Sequence, residues 1–542
     1  MLRRVKVISH RGHVPRTISI LAILLTMAVI TTTLPVNAME SVGILEGSTE
    51  LAELASLADI LKVAMENSPS LKIAKMEQEE ALAGKRQVSA ALKPQLTIAG
   101  QHRVENAVNS PNLTIGPIGA GVMDPDDRLN TTIGSLTWYQ QLGPNAQLKG
   151  ALGQAEVGTD IALLRQEQAL KELVVAIEAG YHGVLRAYNG LALAREAQEH
   201  ARLNVVAEEA RQSLGTATPL DVLKEKNTYL EAQQAAQAAE MGVEMAVLAL
   251  LQTMGQETVD TDTALGWAKQ LATSHQMMVQ PWEVDVSAAF QYMTLHRSEL
   301  AMARKQATMA EIALNQVKGE RDWTVKLSGQ YAPDEKTMVQ SSVDSNQTWV
   351  STVVRTEPPK LPEIPPGSAG GMGGAMDYTS IMEGIDVDPW QVDLNVSYRF
   401  GDGGAKKAQI VAKEAALEKA RLQVAMAEDG FYLELNGAIQ QLNQLWRGYL
   451  LALEGEQAAR ETLAQLELMY ELGSVTNKEV REGQLMVAQA SNKVLDAGLR
   501  YEAQKSKVAA TIGVDGQILI QAITRNQWEN PMADWGAGES EE

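Results

Sequence analysis

The sequence predicts a mainly α chain with a β-barrel, and three observations carry that prediction. The first is the segment from Trp390 to Phe400, in which Trp390, Val392, Leu394, Val396, Tyr398 and Phe400 alternate with Gln391, Asp393, Asn395, Ser397 and Arg399. Strand side chains point to opposite faces in turn, so this segment has one apolar and one polar face. The second is a pair of helical stretches of about 70 residues, each with apolar residues recurring at seven-residue spacing, with one polar slot in the first. The third is an internal duplication. Leu71, Ala74, Ala81, Gly100 and Gln101 return at one constant spacing as Leu300, Ala303, Ala310, Gly329 and Gln330. Leu214, Gly215, Thr218, Asp221, Val222 and Gly255 return at a longer one as Leu472, Gly473, Thr476, Glu479, Val480 and Gly513.

Composition bounds the rest. With aromatics at 4% and only three Phe in 542 residues, thick aromatic cores are excluded, and Ala, Leu, Glu and Gln point to long helices packed through small side chains. The absence of cysteine excludes disulfides, thiolate metal sites and an N-terminal lipid anchor. Residues 1–38 read as a signal peptide, with Arg3, Arg4, Lys6, Arg11 and Arg16 before an apolar run and Val36-Asn37-Ala38 for cleavage. Removing those five cations takes the formal charge from −20 to −25, a poor balance for binding nucleic acid. No later apolar run is long enough for a membrane helix. The exported chain is therefore soluble, peripheral or a β-barrel.

In chain order, residues 39–255 form a first repeat. It has a helix that ends at Lys93-Pro94, a strand pair at 94–105 and 129–141, a long helix at 144–214 and a second helix at 219–254. The long helix carries Leu163, Leu170, Ile177, Val184, Leu191 and Val205 as its seam, and Gly215 stops it. Residues 256–283 connect the repeats as peripheral decoration. The second repeat, 284–513, has a helix, a strand pair at 323–331 and 390–400, a long helix at 402–472 and a helix at 476–512. Its seam is Ile410, Leu417, Val424, Phe431, Ala438, Leu445, Ala452, Ala459 and Leu466. Residues 332–389, with Pro358-Pro359, Pro365-Pro366 and a Gly370 run, read as a flexible loop. Residues 514–542 form an acidic tail.

The strand at 390–400 has the length of a tilted transmembrane strand, with aromatics at both ends of its apolar face. Four such strands cannot close a barrel, and an open edge in lipid leaves backbone groups unsatisfied at several kcal/mol each. The chain must therefore share a barrel with copies of itself. Two chains give eight strands, and three give twelve with room for a lumen.

Leu92-Lys93-Pro94-Gln95-Leu96, the segments Leu214 to Leu223 and Tyr470 to Val480, and the duplication together make the chain resemble the outer membrane efflux protein (TolC-like) family. The resemblance covers nearly all of the mature chain. It implies a homotrimer whose twelve-stranded outer-membrane barrel, four strands per chain, continues into a long α-helical coiled-coil barrel in the periplasm. Such proteins are exit channels of tripartite efflux or type I secretion systems, working with a periplasmic adaptor and an inner-membrane transporter. The resemblance places a pore constriction at Glu479 and Glu482, and tip-latch positions at Tyr470 and Asp221. It places adaptor docking at the periplasmic tip turns of Leu214, Gly215, Thr218, Leu472, Gly473 and Thr476. Val475 stands where relatives can carry a basic latch residue. The lipid-facing strand is Trp390, Val392, Leu394, Val396, Tyr398 and Phe400.

The residues give no catalytic, cofactor or metal site. His102, His182, His200, His275 and His296 lack ligand spacing, and the glycine runs lack the lysine-serine ending of a phosphate loop. Without the resemblance, Glu479 and Glu482 read as an ordinary solvated helix face. The competing reading of the whole chain is an exported coiled-coil spacer or adhesin without a pore. A lipid-facing strand argues against it.

Overall fold

The computed structural model describes residues 54–106, 128–275, 279–334, 336–357 and 390–525, and those from Ala55 onward form one unit. The expected signal peptide, the Pro-Gly-rich run after 357 and the acidic end of the tail lie outside the described residues.

Two helices dominate. α1 (Leu57–Asn67) and α2 (Pro69–Ala90) lead to β1 (Gln95–Asn106) and β2 (Arg128–Gln141), and the 68-residue α3 (Ala146–Ser213) follows. At the helical rise α3 is about 100 Å long. It starts where the Asn145 side chain accepts from the Leu148 N–H at 2.8 Å. α4 (Pro219–Met254) runs back along it, and α5 (Thr261–Ser274) packs beside both. α5 is core rather than the expected decoration, because Ala264, Trp267, Ala268 and Leu271 recur at helical spacing and are all buried. Then come α6 (Val286–His296), α7 (Ser298–Lys318), the remaining strands, the 67-residue α8 (Ala405–Glu471), α9 (Asn477–Ile512) and α10 (Gly516–Arg525).

Short helices meet end to end along the long ones. α4 ends at Gly255 (φ +75°), where a Cβ would lie 2.5 Å from the Asn67 carbonyl oxygen, just before α2 starts. α9 ends at Gly513 (φ +93°), where a Cβ would lie 3.0 Å from the Arg297 backbone, just before α7. Basic side chains cap the free helix-end carbonyls at this second join. Lys171 donates to the Gly513 carbonyl at 3.3 Å and Arg297 to that of Thr511 at 3.3 Å, while Arg297 also pairs with Glu434 at 2.9 Å.

The sheet corrects the expectation of four strands per chain. Among the described residues it has six, in the order β1-β2-β5-β4-β3-β6, where β3 is Trp323–Asp334, β4 Thr337–Asp344, β5 Thr348–Glu357 and β6 Trp390–Tyr398. All its neighbours are antiparallel. The extra hairpin, β4–β5, falls in the stretch expected to be loop. The prolines and glycines after 357 favour a loop, but the density of β-branched residues before them, among them Val339, Val343, Thr348, Val350, Thr352, Val353 and Val354, favours strands.

Register keeps one apolar face across the sheet. Trp390, Val392, Leu394, Val396 and Tyr398 stand opposite Tyr331, Gly329, Leu327, Val325 and Trp323. Leu327 then stands opposite Val343, Val343 opposite Trp349, and Val353 opposite Leu136. The other face carries polar pairs, including Thr324 with Ser397 at 2.6 Å, Gln330 with Gln391 at 2.6 Å and Thr352 with Thr137 at 3.2 Å.

Candidate functional site

Far from the sheet, the long helices end in two turns of one design. Leu214 and Leu472 close α3 and α8 in right-handed conformation, and Gly215 (φ +77°) and Gly473 (φ +71°) then take the left-handed one. The Thr216 N–H donates to the Arg211 carbonyl at 2.9 Å, and the Ser474 N–H to that of Met469 at 2.8 Å. These bonds satisfy carbonyls a helix end leaves free.

The next helix starts from a reciprocal cap. The Thr218 hydroxyl accepts from the Asp221 N–H, and the Asp221 carboxylate accepts from the Thr218 N–H at 3.0 Å. Thr476 and Glu479 repeat the arrangement, with the Thr476 N–H donating to Glu479 at 2.6 Å. The Thr218 hydroxyl and N–H hold the Asp221 carboxyl below its usual range, and the Thr476 N–H and hydroxyl do the same for Glu479. Asp221, expected in a latch, and Glu479, expected in a constriction, thus both act here as helix caps. Glu482 lies one turn beyond Glu479 and is exposed. The Tyr470 hydroxyl accepts from the Asn477 side chain at 3.3 Å, within its own turn.

Other residues tie the two tips together. Lys478 on α9 pairs with Glu225 on α4 at 2.7 Å, and Arg481 on α9 donates to Asn204 on α3 at 2.7 Å. The Glu225 carboxylate raises the pKa of Lys478 through this bond. None of these four stood out in the sequence, although a basic residue three positions beyond Val475 was a usable signal. Around the links the tips expose Leu214, Leu220, Leu223, Leu468 and Leu472, a largely apolar surface.

At the opposite end the strand predicted to face lipid is open on its apolar side. Trp390, Val392, Leu394, Val396 and Tyr398 are each more than half exposed, and Phe400, just past the end of β6, almost wholly so. Among the described residues no cluster of His, Asp or Glu could hold a metal, and no helix is long and apolar enough to cross a membrane.

The sequence profile of the outer membrane efflux protein family matches residues 60–256. No curated protein matches the chain in sequence. Among solved structures, the CmeC outer membrane channel of Campylobacter jejuni superposes with a TM-score of 0.60 at 13% identity, covering 87% of this chain and 89% of that one. The outer membrane protein VceC of Vibrio cholerae gives 0.57 at 14% identity, covering 86% and 96%. The open state of the MtrE outer membrane channel of Neisseria gonorrhoeae gives 0.56 at 14%, covering 85% and 89%. At these identities the likeness is one of fold.

Proposed function

We propose, from the match of residues 60–256 to the outer membrane efflux protein family, that the chain is the outer-membrane exit channel of a tripartite efflux or type I secretion system. In this reading it is a homotrimer, its barrel set in outer-membrane lipid and its helices reaching into the periplasm. A periplasmic adaptor docks on the tips and an inner-membrane transporter drives the solute. The channel is passive, not an enzyme.

One observation carries the reading: the unit has two unsatisfied flanks of matching kind. β1 ends the sheet on one side and β6 on the other, and the alternation of six antiparallel strands makes these edges run in opposite directions. An edge in lipid must be paired, and β6 of one copy against β1 of the next continues the same antiparallel ladder. The helices follow the same order. α2 and α4 lie on one side of α3, while α7 and α9 lie between α3 and α8. Such a head-to-tail contact closes into a ring. The near-equal helices 68 and 67 residues long, and the two of 36 beside them, support a duplicated chain.

At the tip the ring would bring three copies of Glu482, with Glu479 beside it, around the axis, a cation-attracting constriction. Lys478–Glu225 and Arg481–Asn204 take the place of a latch through Val475, with Tyr470 and Asp221 stiffening the turns they brace. In planar bilayers the purified trimer is expected to conduct in small steps, with cations preferred. Lys478→Ala with Arg481→Ala should increase the conductance several-fold, and Glu482→Gln should weaken the cation preference. A monomer that never conducts would overturn the channel, and a double variant with unchanged steps would overturn the latch.

A further inference from the structure

We infer that the barrel of this protein closes with eighteen strands, three copies of the six-stranded sheet, rather than the twelve the family resemblance implies. It therefore flares wider than the helical duct beneath it. The inference rests on the trimeric channel proposed above and fixes the width of its membrane part.

The β4–β5 hairpin is a structural member of the wall. It separates β2 from β3 and bonds to both, with ten register pairs to β2 through β5 and seven to β3 through β4. Its turn is clamped on both sides. The Leu142 N–H donates to the Gln347 carbonyl at 2.6 Å, and the buried Gln141 side chain donates to that of Asn346 at 2.5 Å. On the other side the Ser345 N–H donates to the Val325 carbonyl at 2.6 Å, and Arg321 to the Ser345 carbonyl at 3.1 Å. Gly143 leaves the space that the Gln347 side chain fills. Asp344 organises the turn, its carboxylate accepting from the Asn346 and Thr348 N–H groups at 2.9 and 3.0 Å.

The hairpin also obeys the two-faced pattern of its neighbours. Val339, Val343, Trp349 and Val353 continue the apolar face, and the one indole among them is satisfied by the Ser341 hydroxyl at 2.9 Å. A loop lying outside the barrel would have no need of that alternation.

The helices beneath are not spread to match. α3 and α7 pack through glycines, Gly153 against Ile312 and Gly319 against the Ala146 side chain. The strands they connect to, β2 and β3, stand three strand spacings apart, about 14 Å. The wedge between close helices and separated strands holds a cavity of about 480 Å³, lined by Asn145, Gln316, Arg321, Asn346, Gln347 and Arg399. At ordinary strand spacing and tilt, eighteen strands enclose a backbone cylinder about 36 Å across, against about 24 Å for twelve. Barrels of this larger size leave an aqueous channel.

Cysteine cross-linking in the full-length protein in outer membranes tests this, since the chain has no cysteine of its own. Thr137→Cys with Thr352→Cys, and Ser328→Cys with Ser342→Cys, join register partners of β2–β5 and β3–β4. Both pairs should oxidise nearly completely within one chain. Thr137→Cys paired with Lys326→Cys, Ser328→Cys or Gln330→Cys should stay at background. Strong cross-linking of any of these β2–β3 pairs would show the hairpin excluded from the wall and overturn the inference. Thr97→Cys with Gln391→Cys, Asp393→Cys or Asn395→Cys reports β1–β6 closure between chains. Trimeric ladders there, together with β2–β3 cross-links, would reject eighteen strands and leave the channel standing. Monomers with no inter-chain link would reject both.

Discussion

The two long helices differ by one residue in length, and both carry an apolar seam at seven-residue spacing, yet they live in different surroundings. α3 is an inner helix. Val157, Ile161, Leu173, Val174, Ile177, Tyr181, Val184, Leu185 and Leu191 are buried on it, between α2 and α4 on one side and α7 and α9 on another. α8 buries Leu417, Leu435, Ala438, Ile439, Leu442 and Ala459, all on the face toward α7 and α9, and exposes Val411, Leu422, Met426, Leu433 and Leu451. One seam is enough for a helix with partners on one side only. The second apolar stripe on α8 suits the neighbouring copy of the proposed trimer, and α2 and α4 present a matching stripe in Ile73, Met76, Leu230, Met241 and Met245.

Charge placed on each helix should separate the two roles, with the largest effect on α3. Val184 is fully buried, so Val184→Asp strands a carboxylate without a partner and costs several kcal/mol. Circular dichroism should show lost helix. Leu433→Asp with Leu451→Asp alters side chains already 70% and 67% exposed, so helicity should persist while light scattering in detergent shows monomers. A variant that stays trimeric would remove α8 from the subunit interface.

The joins and the tips contrast in the same way. Gly255 and Gly513 combine positive φ with backbone packed where a Cβ would go, whereas Gly215 and Gly473 have positive φ and open space. Gly513→Ala should therefore cost about 3–4 kcal/mol, left-handed strain plus displacement of the Arg297 backbone. Gly473→Ala should cost about 1–2 kcal/mol, from strain alone. Denaturant midpoints check the ranking, and equal losses would mean that the α9–α7 join yields.

Long-range periodicity is the part of this fold that sequence states openly. Every seam residue of α8 from Ile410 to Leu466 is buried or half-buried, and the glycines that stop the long helices stand where the pattern breaks. Leu163 on α3 is the exception. It is 54% exposed because the buried stripe moves to Ile161 and Ala162 as a 3.6-residue helix drifts against a seven-residue repeat. The β4–β5 hairpin is less legible, because the loop signal of the prolines and glycines after 357 competes with the strand signal of its valines and threonines. At the tips the Thr-x-x-Asp and Thr-x-x-Glu spacing was a capping signal in plain view. The Lys478–Glu225 link could not be seen, since its partners lie 253 positions apart and only the packing of α9 against the first helix pair unites them.

The last test concerns the chemistry of the inner helix. α3 holds Glu178 in full burial facing Glu502 and Lys505 of α9, while the buried residues of α8 include no ionisable group. Burial raises Glu178 to about 8 and also raises Glu502, and it lowers Lys505, whose ammonium bonds Glu502 at 2.9 Å. Between about pH 4.5 and 8 the folded chain keeps the Glu178 proton that the unfolded chain has released. Stability contributed by the neutral acid is thus complete below that window and is lost as pH rises through it, by at most about 1.4 kcal/mol per pH unit. Glu502 acts in the same direction. Lys505 acts in the opposite one, over the range below the ordinary lysine value. Glu178→Gln keeps the neutral shape and should flatten the fall in urea midpoint from pH 5 to pH 8. It should leave the protein more stable than the parent at pH 8 and little changed at pH 5. An undiminished slope would place the titration on another group and leave Glu178 charged within α3, which its surroundings oppose.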